Sequence, residues 1–231
     1  AQPHPAYYRE IRRICREYNV LFIADEIMTG FGRTGERFAM EQYDVVPDML
    51  TIGKALSGGY APISATMVNE EIAAEFRADS EVSFDHGHTY SGHPATAAIA
   101  AHVVDRYTDD VFDQARDRGR QLESLLNPLH EDPIVGDVRR AGLMVGIEFV
   151  QDPASKEPFD PSLNVATRVY EEAMERGVYT YPGTGCVDGV AGDHLMLAPP
   201  LISSQATIRK IAETTVQSIA TVGDNLHHAA R

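Results

Sequence analysis

The stretch Val20-Leu21-Phe22-Ile23-Ala24-Asp25-Glu26 decides how the rest of the chain is read. Five apolar or small residues that end abruptly in two carboxylates predict a fully buried parallel strand with a polar C-terminal tip. In an open α/β sheet that tip is where ligands bind. A second short strand, Met49 to Ile52, ends on Gly53 and Lys54. If both strands lie in one parallel sheet, an acid and an amine converge on one crevice.

Such a pair has a specific chemical use. An aldehyde cofactor such as pyridoxal phosphate needs a lysine amine to hold it as a Schiff base. It also needs an aspartate to keep its pyridine nitrogen protonated, so that the ring can accept electrons. Asp25 and Lys54 suit those two roles. Taken singly, a strand-end carboxylate and a lone lysine would mean little.

The 231 residues are enough for one large domain or two modest ones with a substantial core, and 43 % hydrophobic content places the chain among globular proteins. A net charge of -14 without a Lys/Arg cluster argues against a nucleic-acid partner. The acidity is read either as a solvated surface or as adaptation to a saline cytoplasm. Lys54, Lys156 and Lys210 are the only lysines among twenty cationic residues, which fits the second reading. Cys15 and Cys186 are too few and too far apart for a disulfide framework or a zinc site, so a cytoplasmic location is the default. No apolar run approaches the roughly 20 residues of a membrane span, and no signal-peptide pattern is present. The chain opens without Met, which predicts a piece of something longer.

Around the opening stretch, Tyr7, Ile11, Ile14, Cys15 and Tyr18 fall at helical spacing and predict an amphipathic helix with Arg9, Arg12, Arg13 and Arg16 largely outward. Gly30, Gly32 and Gly35 forbid regular structure after Glu26 and mark a ligand-approach loop. Ser57-Gly58-Gly59 makes another loop, and Ser64 to Val68 a further strand. The polar run Asp85 to Pro94 precedes an Ala-rich helix ending near Tyr107, whose N-terminus and neighbouring hydroxyls form a natural phosphate site. Residues 1–108 are assigned to a large domain and 109–231 to a small α+β domain. In the latter, Leu143, Val145, Ile147 and Phe149 share one strand face, Gly177 stops a helix, and Ser203 or Ser204 caps the last one.

Two rival readings of single motifs are weak. An ATPase Walker B strand also ends in Asp-Glu, but no Walker A loop is present, Gly53-Lys54 being followed by Ala55. His86, His88 and His93 lack a convincing fourth ligand for a metal.

Read together, Leu21 to Ile27, Gly30-Phe31-Gly32-Arg33-Thr34-Gly35, Pro47-Asp48 and Gly53-Lys54-Ala55-Leu56-Ser57-Gly58-Gly59 resemble the signature of class III pyridoxal-phosphate-dependent aminotransferases. His88 to Pro94, Gly142 to Glu148, Gly192-Asp193-His194 and Ala198-Pro199-Pro200-Leu201 extend the resemblance over nearly the whole chain. It implies the C-terminal portion of a fold type I aminotransferase. That portion is part of an α/β large domain, a mostly parallel sheet with flanking helices, plus a small C-terminal α+β domain. It further implies that Lys54 is the Schiff-base lysine, Asp25 the partner of the pyridine nitrogen, and Ile27 a contact on one face of the ring. Thr89 would contact the phosphate of the neighbouring subunit in a homodimer. Family members are longer and carry an N-terminal half with a Gly/Ser phosphate loop, so the catalytic unit is expected to be incomplete as given.

The leading expectation is transfer of an amino group between an amine or amino acid and a keto acid or aldehyde. An aminomutase or decarboxylase on the same fold, or a non-catalytic fragment, are the alternatives. Many relatives bind a substrate carboxylate with an arginine just before the Pro-Pro turn. Here Tyr181 to Pro200 contains no Arg or Lys, and Met196 stands in that region. An amine, or an amino acid whose carboxylate is held elsewhere, is the expected donor.

Overall fold

The computed structural model describes residues 2–78 and 83–229. It divides into two compact units, one from Pro3 to Phe112 and one from Asp113 onward.

The first unit opens with α1 (Tyr7–Glu17), followed by β1 (Ile23–Asp25) and β2 (Met49–Ile52). β1 and β2 are parallel, with Ile23 opposite Met49 and Asp25 opposite Thr51. β3 (Ala65–Val68) adds antiparallel to β2, giving the order β1-β2-β3. Two helices follow, α2 (Glu70–Ala78) and α3 (Pro94–Val104). Phe22 and Ala24 pack against Met40, Tyr43 and Val45, with Tyr8, Ile11 and Cys15 of α1 closing that side. On the same face of β2, Leu50 borders this cluster, while Ile52 packs with Phe31, Leu56 and Ala100.

Two expectations need correcting. β1 is not a fully buried strand: Leu21 is 55 % and Ile23 54 % exposed. Among the described residues it has one hydrogen-bonded neighbour as the first strand in the order, and only its Phe22/Ala24 face is covered. α1 packs Ile11 and Cys15 and turns Arg9, Arg13 and Arg16 outward as expected, but differs at other positions. Tyr7 and Tyr18 are exposed, whereas Arg12 faces inward with 14 % of its side chain accessible, because Asp48 accepts its guanidinium.

The second unit is built on an antiparallel sheet of order β4-β5-β7-β6, formed by β4 (Val135–Ala141), β5 (Met144–Phe149), β6 (Tyr181–Gly183) and β7 (Asp193–Leu197). In chain order α4 (Asp109–Leu126) precedes this sheet; the other helices are α5 (Val165–Glu175) and α6 (Gln205–Ala229). The alternation read in β5 is realised: Leu143, Val145, Ile147 and Phe149 are all inaccessible, packed with Leu195, Val169 and Ile208. Gly177 takes φ +81° after α5, where its N–H reaches the carbonyl of Met174 at 2.9 Å. Ser204, not Ser203, caps α6, its hydroxyl accepting the N–H of Thr207 at 3.1 Å. Gly119 lets α4 touch the β4–β5 turn directly, since a Cβ there would lie 2.0 Å from the carbonyl oxygen of Gly142.

Candidate active site

Strand alternation sends Asp25 and Glu26 to opposite faces of the sheet. Asp25 is on the open face, where one carboxylate oxygen accepts the N–H of Ile27 at 3.0 Å. Its second oxygen has no protein partner among the described residues. Glu26 is 1 % exposed, on the packed face. Its carboxylate accepts the backbone N–H of Met40 at 2.9 Å and the hydroxyl of Thr29. A buried carboxylate is tolerated only when it is bonded this way. Its effect is to clamp the strand end to both sides of the glycine loop. Within that loop, Phe31 and Gly32 donate to the carbonyls of Arg37 and Glu36.

Lys54 begins a short 3-10 helix, Lys54–Ser57, directly beyond β2. Because β1 and β2 are parallel, Asp25 and Lys54 both leave the C-terminal edge of the sheet. Lys54 has φ +40°, a region that non-glycine residues seldom occupy, and the backbone around it is pinned. Leu56 donates to Gly53 at 2.8 Å, and the Tyr107 hydroxyl donates to the carbonyl of Ala55 at 2.7 Å. Burial pushes the Tyr107 phenol above its usual range, with the nearby Arg33 charge opposing. The same burial lowers the Arg33 guanidinium. The Lys54 side chain is exposed and makes no ion pair or hydrogen bond among the described residues.

Ile27 bridges the two strand ends. Its backbone orients Asp25, and its side chain lies over Gly53, where a Cβ would meet Ile27 Cγ2 at 3.6 Å. Asp25, Ile27 and Lys54 are thus neighbours along one sheet edge. Thr89 sits exposed in the turn before α3. The N-terminus of α3 is also less open than its sequence implies. His93 caps it, with Nδ1 accepting the N–H of Thr96 at 3.4 Å, and Ser91 accepts the N–H of His88 at 3.0 Å. No group of three His, Cys, Asp or Glu side chains among the described residues could hold a metal ion. None of the described helices is long and apolar enough to cross a membrane.

The role of Glu26 escaped the sequence reading, which treated the two acids as one polar tip. Period-two alternation was the available signal, since it obliges one of two adjacent carboxylates to face the core.

The model of the aminotransferase class-III family matches residues 1–219. The chain belongs to the class III aminotransferase family. Among curated relatives, an uncharacterized aminotransferase of Bacillus subtilis, YodT, is 38 % identical over 227 residues, 97 % of this chain and 51 % of that protein. A transaminase from the marine bacterium Virgibacillus superposes with a TM-score of 0.90 at 36 % identity, covering 97 % of this chain and 50 % of that one. A PLP-bound aminotransferase mutant from Vibrio fluvialis gives 0.85 at 30 % identity, covering 96 % and 48 %. The class III chain therefore has the fold of part of a type I transaminase, and it spans about half the length of the curated relatives it matches.

Proposed function

We propose that this chain supplies the amine and the acid of a pyridoxal-phosphate-dependent aminotransferase, with Lys54 and Asp25 in those roles. The observation that carries the reading is the state of Lys54. Among the described residues it is an unpaired amine, held at positive φ on the sheet edge where Asp25 keeps one carboxylate oxygen free. An unpaired exposed lysine is ordinary by itself; its positive φ at the strand end beside Asp25 is what sets Lys54 apart. The donor set fits the cofactor, as one amine can take its aldehyde and one carboxylate its pyridine N–H. The relative from Vibrio fluvialis carries PLP on the same fold.

When bound, pyridoxal phosphate supplies an electron sink for the bond broken beside the substrate nitrogen. Lys54 Nζ would hold the cofactor by its aldehyde and, when free, would take and return a proton as general base. The second oxygen of Asp25 would hold the pyridine N–H and keep that nitrogen protonated, while the Ile27 N–H holds the carboxylate in place. Ile27 would pack on the ring, and Thr89 would serve the phosphate of a second copy in a homodimer. Substrates are a small amino donor and a keto acid or aldehyde. With Met196 rather than a cation in the strand before Pro199-Pro200, the donor is an amine or an amino acid whose carboxylate is bound elsewhere.

Borohydride reduction of the cofactor-loaded protein, followed by peptide mapping, tests the assignment. The label is expected on Lys54. A label on Lys156 or Lys210, or capture undiminished in Lys54→Ala, would overturn it.

A further inference from the structure

Four described residues other than glycine hold a positive φ in the first unit: Asn19, Phe31, Asp44 and Lys54. Asn and Asp tolerate that region, because their short polar side chains bond locally. Phe31 at +58° and Lys54 at +40° lack that compensation. A residue of this kind stays in the left-handed region only where its surroundings over-determine it.

Both strained positions converge on one side chain. Tyr107 stands just beyond α3, its N–H bonded to the carbonyl of Val104 at 3.0 Å. Its ring lies against Phe31, with centroids 5.3 Å apart, and stacks nearly parallel to Phe112 at 6.3 Å. With the ring confined in this way, its hydroxyl donates to the carbonyl of Ala55 at 2.7 Å, one residue beyond Lys54. The other hydrogen bonds of that turn are local: Leu56 donates to Gly53, Gly58 to Ala55, and the Ser57 hydroxyl to Ala61. Local bonds set the shape of the turn, whereas a bond from another element sets its place. Among the described residues, Tyr107 makes the only hydrogen bond to this turn from a distant segment, 52 positions away. The Ala55 carbonyl does not need it for satisfaction, since it already accepts the Gly58 N–H at 3.0 Å. The second bond therefore orients a group that would be paired without it.

We infer that Tyr107 is a positioning residue for Lys54. Its hydroxyl holds the turn that sets the amine at the sheet edge carrying Asp25, and its ring holds the glycine loop through Phe31. It acts through the Ala55 carbonyl and makes no hydrogen bond to the amine itself. The inference rests on Lys54 being the amine that takes the cofactor's aldehyde.

Tyr107→Phe tests it, because the ring stays and only the hydroxyl goes. Two readouts are taken on the 231-residue chain. One is the three-bond coupling between the amide and α protons of Lys54, which depends directly on φ. The other is the rate at which pyridoxal phosphate, trapped by borohydride at timed intervals, labels Lys54 relative to Lys156 and Lys210 in the same sample. In the variant the Lys54 coupling should change, and labelling of Lys54 should slow about two- to tenfold, the range set by the net worth of one hydrogen bond. Labelling of the other two lysines and the melting temperature should stay close to the parent's. Tyr107→Leu, which removes the ring as well, should also change the Phe31 coupling; an unmoved Phe31 would overturn the part given to the ring. An unchanged Lys54 coupling or an unchanged ratio of labels in Tyr107→Phe would overturn the positioning role. So would a lower melting temperature with the coupling intact, or failure of that variant to fold, either of which would mean that the hydroxyl serves the fold. A parent chain that takes no label on Lys54 would instead refute the amine reading, and the coupling alone would then decide whether Tyr107 holds the turn.

Discussion

Arg12 of α1 forks onto Asp48, with its two terminal nitrogens 2.5 and 2.8 Å from the two carboxylate oxygens. The same carboxylate accepts the N–H of Phe22 at 2.8 Å and the side-chain amide of Asn69 at 3.2 Å. One residue just before β2 thus ties together α1, the start of β1 and the cap of α2, where Asn69 accepts the N–H of Ile72 at 3.0 Å. The strands that carry Asp25 and Lys54 are aligned at their far ends by this cluster.

The Asp48 carboxyl is held below its usual range, chiefly by the Arg12 hydrogen bonds, then by the Phe22 N–H and the Arg12 and Arg16 charges, with burial opposing. A depressed folded-state pKa gives stability that is full above the unfolded value, about 3.9, and lost as pH falls through the folded value. Asp48→Asn should cost about 2 to 3 kcal/mol at neutral pH, because it leaves Arg12 buried and unpaired. Urea unfolding of both proteins from neutral to acid pH checks this. The difference between them should shrink only below about pH 4.

Glu26 should tolerate an amide better than a truncation. Glu26→Gln keeps an acceptor for the Met40 N–H. Glu26→Ala leaves that buried donor unpaired and should cost about 1 to 3 kcal/mol. Because Glu26 adjoins Asp25, cofactor affinity should follow the same order, as read from the absorbance of the bound cofactor. Equal behaviour of the two variants would remove Glu26 as the organiser of the strand end.

Asp25→Asn should impair amino transfer more than cofactor capture. The amide no longer holds the ring nitrogen protonated, while Lys54 can still take the aldehyde. Borohydride trapping and turnover, measured on the same preparation, separate the two steps. Equal turnover of variant and parent would refute the role given to Asp25.

The open face and edge of β1 should make the chain associate on its own, since Leu21 and Ile23 are exposed beside a strand edge that is unpaired among the described residues. Ile23→Lys should shift sedimentation toward the monomer. Cofactor affinity and turnover should rise when the half of the polypeptide that the relatives carry in addition is supplied separately. Tight binding and full turnover by the lone chain would show that it is a complete catalytic unit.

With a net charge of -14, the melting temperature should rise between low and molar potassium chloride, as screening relieves repulsion in the compact state. A flat profile would leave ordinary surface acidity as the explanation.

Local pattern made much of this protein legible. The period-two run from Leu143 to Phe149 places its side chains on one face whatever packs there, and it forms the core of the second unit. The strand ending at Ile52, the turn at Gly177 and the helix after Ser204 follow equally from short-range rules. The class III signature, carried by contiguous motifs, was readable for the same reason. What local pattern could not decide was which face of an element meets a partner. Val20 to Glu26 is apolar enough for a central strand, and in this chain, which spans about half the length of its relatives, Leu21 and Ile23 are left in the open. Arg12 reads as a surface residue until Asp48, 36 positions away, folds beneath it. Likewise Asp25 and Glu26 are chemically alike in the sequence. Packing on one side of the sheet alone made Glu26 a structural clamp and left Asp25 free.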